Sequence, residues 1–282
     1  MTTVPALPVI VTGASSGIGL ETAVGLARQG YRVVATVRDL GRTEALDAAA
    51  AGLELDVRRL DVTDDASVRE LVAGVVETYG GLHSLVNNAG AAHLGTVELD
   101  TMDAIRAAME VNFFGVVAMT QAAMPHLRAS SGVVVSITSV GGIVGQPFNE
   151  TYCAAKFAVE GFMEGLAPVA ATVGVRVVVV EPGAVASSFV ANAGVDPQAM
   201  VAAVGPYGPA AAGYLARTAG AFANAQSSAD AAAVVVSAVV DPATPFRVQT
   251  SPAAVGFVGV KLADLDGSAV QGLTRSWVSA PA

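Results

Sequence analysis

The sequence predicts a doubly wound α/β domain, a parallel sheet of about seven strands with helices on both faces. Three observations lead there. Short Val- and Ile-rich runs alternate with longer amphipathic stretches along most of the chain. Those runs are almost continuously apolar, which suits strands covered on both faces of a parallel sheet. The 282 residues are 53% hydrophobic and 14% charged, enough apolar material for a sizeable core.

Taken in order, Pro8–Thr12 reads as a strand around Val9-Ile10-Val11, and Ile18–Gln29 as a helix. Strand Arg32–Val37 precedes helix Arg42–Ala50, and strand Leu53–Leu60 precedes helix Asp64–Tyr79, whose start is marked by Thr63 followed by acids. Ser84–Asn87 is a short strand, and Thr101–Arg128 carries one long helical pattern. Val133–Thr138 is a strand ending before a Gly141-Gly142 turn. Thr151–Val173 is a helix in which Pro168 predicts a kink or break. Val175–Val180 is a strand, Ser228–Val240 a final helix and Arg247–Thr250 a weak last strand. The Gly-, Pro- and Ala-rich stretch Ser187–Gln226 breaks the rhythm and reads as an irregular lid. No linker, repeat or charge block divides the chain, so residues 1–282 are expected to form a single domain.

Charge and composition narrow the function. The net charge is −9, and the only basic pair, Arg58-Arg59, is flanked by acids, so no nucleic-acid partner is expected. A lone cysteine, Cys153, precludes a disulfide within the chain and suits the cytoplasm. Met1–Pro8 carries no Lys or Arg ahead of an apolar stretch, so it does not read as a signal peptide. The best apolar run, Ala231–Val240, contains Ser237 and is too short for a membrane span. His83, His93 and His126 are scattered without ligand spacing, so no metal site is expected. No G-x-S-x-G elbow supports a serine hydrolase.

After the first strand comes Thr12-Gly13-Ala14-Ser15-Ser16-Gly17-Ile18-Gly19. Strand, glycine turn and helix is the Rossmann-type layout that binds a dinucleotide pyrophosphate. Gly13 allows the tight turn, Gly17 a close backbone approach and Gly19 helix–sheet packing, while free N–H groups at the helix start face the anion.

This string resembles the short-chain dehydrogenase/reductase family in its single-domain branch. Further motifs of that branch follow in order over roughly residues 8–190: Asn87-Asn88-Ala89-Gly90, then Asn112, Ser139, Tyr152-Cys153-Ala154-Ala155-Lys156 and Pro182-Gly183. Gly145–Phe157 further resembles the steroid 17-hydroxyl and retinol dehydrogenases. The resemblance implies hydride transfer between a nicotinamide and an alcohol or carbonyl carbon. It implies catalytic roles for Asn112, Ser139, Tyr152 and Lys156. It implies cofactor contacts at Gly13, Ser15, Ser16, Gly17, Ile18, Gly19, Asn88, Ala89, Gly90, Tyr152 and Lys156. Past the sixth strand, Pro182, Gly183, Val185 and Ser187 are similar to the segment that holds the carboxamide, with Ser187 standing where the family usually has Thr.

The chemistry suits these residue types. A free phenol titrates near ~10, too high for proton transfer at neutrality, and a neighbouring cation favours its ionised form. Lys156 lies four positions after Tyr152, on the same helix face. Ser139 would hold the substrate oxygen. Asn112 would hold a relay water, by resemblance.

For the cofactor, the second strand ends Val34-Ala35-Thr36-Val37-Arg38-Asp39. The acid that would bond a ribose 2′-hydroxyl is missing at Val37, and Arg38 suits a 2′-phosphate, with Ser15 adding a hydroxyl. NADP(H) is therefore expected. NAD(H) stays open, because Ser16 replaces a second basic residue and Asp39 could take the acidic role after a small register shift. Asp61 and Val62 resemble the adenine contact, and Asp56 is the rival to Asp61. Ser139, Phe148, Tyr152 and Phe189 are the expected substrate residues, with Met200, Tyr207 and Tyr214 as further apolar lining for a hydrophobic alcohol or carbonyl compound. Helices Thr101–Arg128 and Thr151–Val173 form the dimer surface in similar proteins, which implies a homodimer or homotetramer. An isomerase or dehydratase with tightly held NAD, and a cofactor-sensing regulator, are the alternative functions.

Overall fold

The computed structural model describes residues 6–187, 189 and 196–278. Seven parallel strands form one sheet in the order β3-β2-β1-β4-β5-β6-β9. They are β1 (Val9–Val11), β2 (Val33–Val37), β3 (Leu55–Arg59), β4 (Ser84–Asn87), β5 (Val133–Ile137), β6 (Arg176–Glu181) and β9 (Arg247–Gln249). The strand order reverses between β1 and β4, which opens a crevice at their C-terminal ends, where ligands bind in this architecture.

Successive side chains alternate between two apolar layers. Val9 and Val11 of β1, with Val133 and Val135 of β5, meet α1 (Gly17–Arg28), α2 (Glu44–Ala49) and α9 (Ser228–Val240). Ile10 and Val134 point the other way, onto α3 (Asp65–Tyr79), α5 (Gly115–Ser130) and α6 (Glu150–Ala171). Continuously apolar strands are thus the consequence of helices on both faces.

Four expectations change. The long helix Thr101–Arg128 is interrupted: α4 (Met102–Met109) passes through a π-helical turn, Glu110–Phe114, before α5 begins. Asn112 sits in that turn, and π-helical turns recur at functional sites. Pro168 does not break α6, which continues to Ala171; close to the C-terminus it disturbs only the last turn.

The segment 187–226 is largely helical where it is described. It contains α7 (Pro197–Ala203) and α8 (Gly208–Ala223), while residues 188 and 190–195 of the expected lid lie outside the described residues. Prolines that read as helix breakers occupy first turns, where the missing N–H is not needed, and Asp196 caps α7 by accepting from Gln198 N at 2.9 Å. Two further helices, α10 (Pro252–Leu262) and α11 (Ser268–Arg275), follow β9. A second, two-stranded sheet pairs β7 (Val185–Ala186) with β8 (Gln226–Ser227). Among the described residues no helix is long and apolar enough to cross a membrane.

Candidate active site

The glycine loop closes β1 at the crevice. Gly13 and Gly17 have φ of 67° and 59°, a region that favours glycine. A Cβ at Gly13 would lie 2.9 Å from Ala89 Cα, and one at Gly19 would collide with Asn88 Nδ2. Ser16 stands at the N-cap of α1, and no acid occupies the helix's first turn. Ser15 and Ile18 flank the turn and are partly exposed. Positive-φ glycines, free helical N–H groups and no competing carboxylate fit a pyrophosphate.

Asn88 holds this loop from behind. Its side-chain amide donates to the carbonyls of Thr12 and Gly13 at 2.8 and 3.0 Å. The buried Thr12 hydroxyl accepts from Asn88 N and Ala89 N, both at 2.9 Å. Thr12 was not among the expected site residues, although it stands at the end of β1 ahead of Gly13, where a hydroxyl can bridge two neighbouring strands.

At the adenosine end, Arg38 is exposed immediately after β2. Asp61 accepts from Thr63 N and Thr63 Oγ1 at 3.0 and 2.7 Å. These bonds hold its carboxyl below the usual range, with the Arg38 and Arg59 charges adding to them. Asp39 is turned into its own loop, where Oδ1 accepts from Gly41 N at 2.9 Å. The rival Asp56 lies within β3, bonded to Arg58 Nε at 2.8 Å and Tyr79 Oη at 2.9 Å, and so points to a structural role. Val62 is buried under Gly115, whose missing side chain lets the helix approach it.

Ser139 follows β5 and caps the short 3₁₀ turn Val140–Gly142, accepting from Gly141 N at 2.9 Å. Tyr152, in the first turn of α6, stands beside Ser139, close enough for that side chain to favour its ionised form. Lys156, one turn on, is buried; its Nζ donates to the Ile137 carbonyl at 3.1 Å and lies 5.8 Å from the centre of the Tyr152 ring. Burial lowers the ammonium to about 8, opposed by Glu160. Lys156 was expected to pull the phenol down. Here burial prevails and pushes Tyr152 well above its ordinary value, with Ser139 opposing.

Asn112 is fully buried in the π turn. Its amide donates to the carbonyls of Ala91 and Ala108 at 2.9 and 3.0 Å, and Oδ1 accepts from Ala91 N at 3.2 Å. A Cβ at Gly90 would lie 2.9 Å from Asn112 Oδ1 and 3.6 Å from Lys156 Nζ. The bare glycine therefore leaves the space between those two groups clear.

The segment after β6 reaches over the loop. A Cβ at Gly17 would lie 3.3 Å from Ser187 Cβ. The Pro182 carbonyl accepts from Val140 N at 2.9 Å, tying this segment to the turn behind Ser139. Gly183 faces Ala254 of α10, and Val185 is buried in β7. Phe189 meets the Tyr152 ring edge-on, with centroids 5.9 Å apart. Phe148 behaves differently from Phe189: it is buried at φ 60° and packs on Tyr214, Met200, Val204 and Trp277 as the core of the lid. Tyr207 is exposed.

Residues 8–198 match the family model described as short chain dehydrogenase. The chain belongs to the short-chain dehydrogenase family. It is 37% identical over 278 residues to retinol dehydrogenase 8 of Bos taurus, covering 92% of this chain and 86% of that one. Human 17-beta-hydroxysteroid dehydrogenase type 1 is 43% identical over 190 residues, which is 64% of this chain and 57% of that protein. The match to human retinol dehydrogenase 8 likewise spans 60% of that relative. Among solved structures, a short-chain dehydrogenase from Streptomyces avermitilis superposes with a TM-score of 0.76 at 30% identity, covering 95% of this chain and 97% of that one. As a member of the family, this short-chain dehydrogenase is an NAD(P)-dependent oxidoreductase acting on CH–OH or C=O groups.

Proposed function

We infer that the enzyme uses NADP(H) to interconvert a hydrophobic alcohol and its ketone or aldehyde, with Tyr152 as general acid and base. One observation carries this reading: the buried Lys156 lies one helical turn from Tyr152, its Nζ 5.8 Å from the centre of the Tyr152 ring, while Ser139 stands close enough to act on the phenol. The nicotinamide, when bound, supplies or accepts the hydride. Gly13, Ser15, Ser16, Gly17, Ile18 and Gly19 hold the pyrophosphate, and Asn88, Ala89 and Gly90 line the crevice beside it. Pro182, Gly183, Val185 and Ser187 hold the carboxamide end, and Asp61 and Val62 the adenine.

In the reducing direction Ser139 orients the substrate oxygen, which takes the phenolic proton of Tyr152 as the carbonyl carbon becomes CH–OH. The Lys156 ammonium stabilises the phenolate left behind. A water in the space beside Gly90, held by Asn112, returns the proton from solvent through Lys156.

Arg38 is exposed at the end of β2 and Asp39 is committed to Gly41, which together favour a 2′-phosphate over a bare 2′-hydroxyl. An apolar substrate is supported by Phe189, whose ring meets that of Tyr152 edge-on. It also accords with relatives named for retinol and hydroxysteroids. Phe114, Phe157 and Val169 are exposed on the helical surface of the π turn and α6, which supports a homodimer or homotetramer.

The test is a panel of retinoid, steroid and aliphatic alcohols and ketones run with NADPH and NADH, on wild type and Tyr152→Phe. Turnover of apolar members by wild type and its loss in Tyr152→Phe are expected. Undiminished turnover in the variant would refute the role given to Tyr152.

A further inference from the structure

A buried ionic cluster lies directly behind the catalytic residues. Arg247 of β9 bonds Glu160 Oε2 at 3.2 Å and Glu164 Oε2 at 3.1 Å through Nη2, and its Nε lies 2.7 Å from Glu181 Oε1. Glu160 is one turn beyond Lys156 on α6, and Glu181 ends β6 immediately before Pro182. Glu160 and Glu181 are 4% and 0% exposed, so their charges are shielded from water.

Glu160 touches both halves of the site. Its Oε1 accepts from Thr138 Oγ1 at 2.5 Å, and Thr138 immediately precedes Ser139. Its side chain lies under the turn that Ser139 caps, since a Cβ at Gly142 would sit 3.1 Å from Glu160 Cγ. Removing a buried carboxylate's water makes its field on nearby charges stronger. The charged and titratable groups around the pair are Tyr152 and Glu164 on α6, Glu181 on β6 and Arg247 on β9. None of these four acts on the Lys156 ammonium as Glu160 does, which raises it against burial; the Glu160 carboxyl is itself pushed up by burial, with the Thr138 and Arg247 bonds opposing.

We propose that Glu160 is a positioning residue for hydride transfer: locked by Arg247, it fixes the turn that carries Ser139 through Thr138 and stands one helical turn behind Lys156. This rests on the roles given above to Tyr152, Lys156 and Ser139. Arg247 supplies the lock and is shared with Glu181, so β9, the end of β6 and α6 are tied at one guanidinium.

Glu160→Gln, nearly isosteric, keeps an acceptor for Thr138 and removes the charge. In carbonyl reduction its alkaline limb of kcat moves to lower pH by about one unit, and kcat falls about tenfold while both KM values stay within about twofold. Glu160→Asp keeps the charge, so its limb stays with wild type. A limb that does not move in Glu160→Gln overturns the proposal. So does a parallel loss of activity and melting temperature in both variants with fixed limbs, which marks a structural role.

If Glu160→Gln does not fold, Thr138→Val carries the test. A fall in kcat of about threefold or more at unchanged KM supports the link to Ser139, and an unchanged kcat refutes it. Tyr152→Phe, run alongside, separates the outcomes. If it is inactive and the Glu160 limb is fixed, only this proposal fails; if it is fully active, the underlying assignment fails.

Discussion

The side-chain amide of Asn88 donates to the Gly13 carbonyl at 3.0 Å across the gap between β4 and β1, so the glycine loop is held by the strand on the far side of the crevice. The same amide donates to the Thr12 carbonyl at 2.8 Å. Asn88→Ala removes both bonds and leaves two carbonyls without them, at a cost of about 1–3 kcal/mol. The melting temperature should fall, and KM for the cofactor should rise by more than KM for substrate. Thermal melts and paired cofactor and substrate titrations check this.

Arg38 stands exposed at the end of β2, and a charge-assisted bond from it to a 2′-phosphate is worth about 1.5–3 kcal/mol. Arg38→Ala should raise KM for NADPH by about tenfold or more and leave KM for NADH within about twofold. Initial-rate measurements with both cofactors and one substrate decide it. Equal effects on the two cofactors would remove the case for NADP(H).

Burial depresses the Lys156 ammonium from an ordinary value of 10.5 to about 8. Below about 8 it is charged in both folded and unfolded chains; between about 8 and 10.5 only the unfolded chain still binds the proton. Its contribution to stability therefore rises with pH across that window, while the charge that supports Tyr152 is lost. Carbonyl reduction should fall as pH rises through about 8. A Lys156→Met variant should lack the stability rise. Melting curves of both proteins at several pH values, with a pH–rate profile of wild type, check the two halves.

Trp277, 6% exposed, stacks on Phe257 with centroids 5.6 Å apart and lies under Arg217, whose guanidinium carbon is 4.2 Å from the ring centre. It fastens the C-terminal segment to the lid core around Phe148 and Tyr214. Its Nε1 has no acceptor among the described residues, so truncation removes packing and no hydrogen bond. Trp277→Ala should cost about 3–5 kcal/mol in that core, judged from comparable truncations. Substrate KM should rise several-fold while cofactor KM changes little. Equal changes in both would mean that the damage spreads beyond the lid.

Much of the site was legible because its signals are local. Gly13 and Gly17 do adopt positive φ, and Tyr152 and Lys156 share a face of α6 because their spacing is one helical turn. The lid was misread for a physical reason as well. Glycine and proline suggest irregular chain on average, yet proline in a first turn and a capping Asp196 start a helix that the alanines sustain.

By itself the sequence determined the strand–helix alternation, the parallel sheet, the glycine loop and the Tyr–Lys pair, since each depends on residues within a few positions of one another. Tertiary structure alone decided that Thr12 and Asn88 join behind Gly13, that Asn112 lies in a π turn held to Ala91, and that Glu160 meets Arg247, 87 positions away. These contacts form between distant segments brought together by the sheet order. Periodicity and spacing along the chain carry no signal for them.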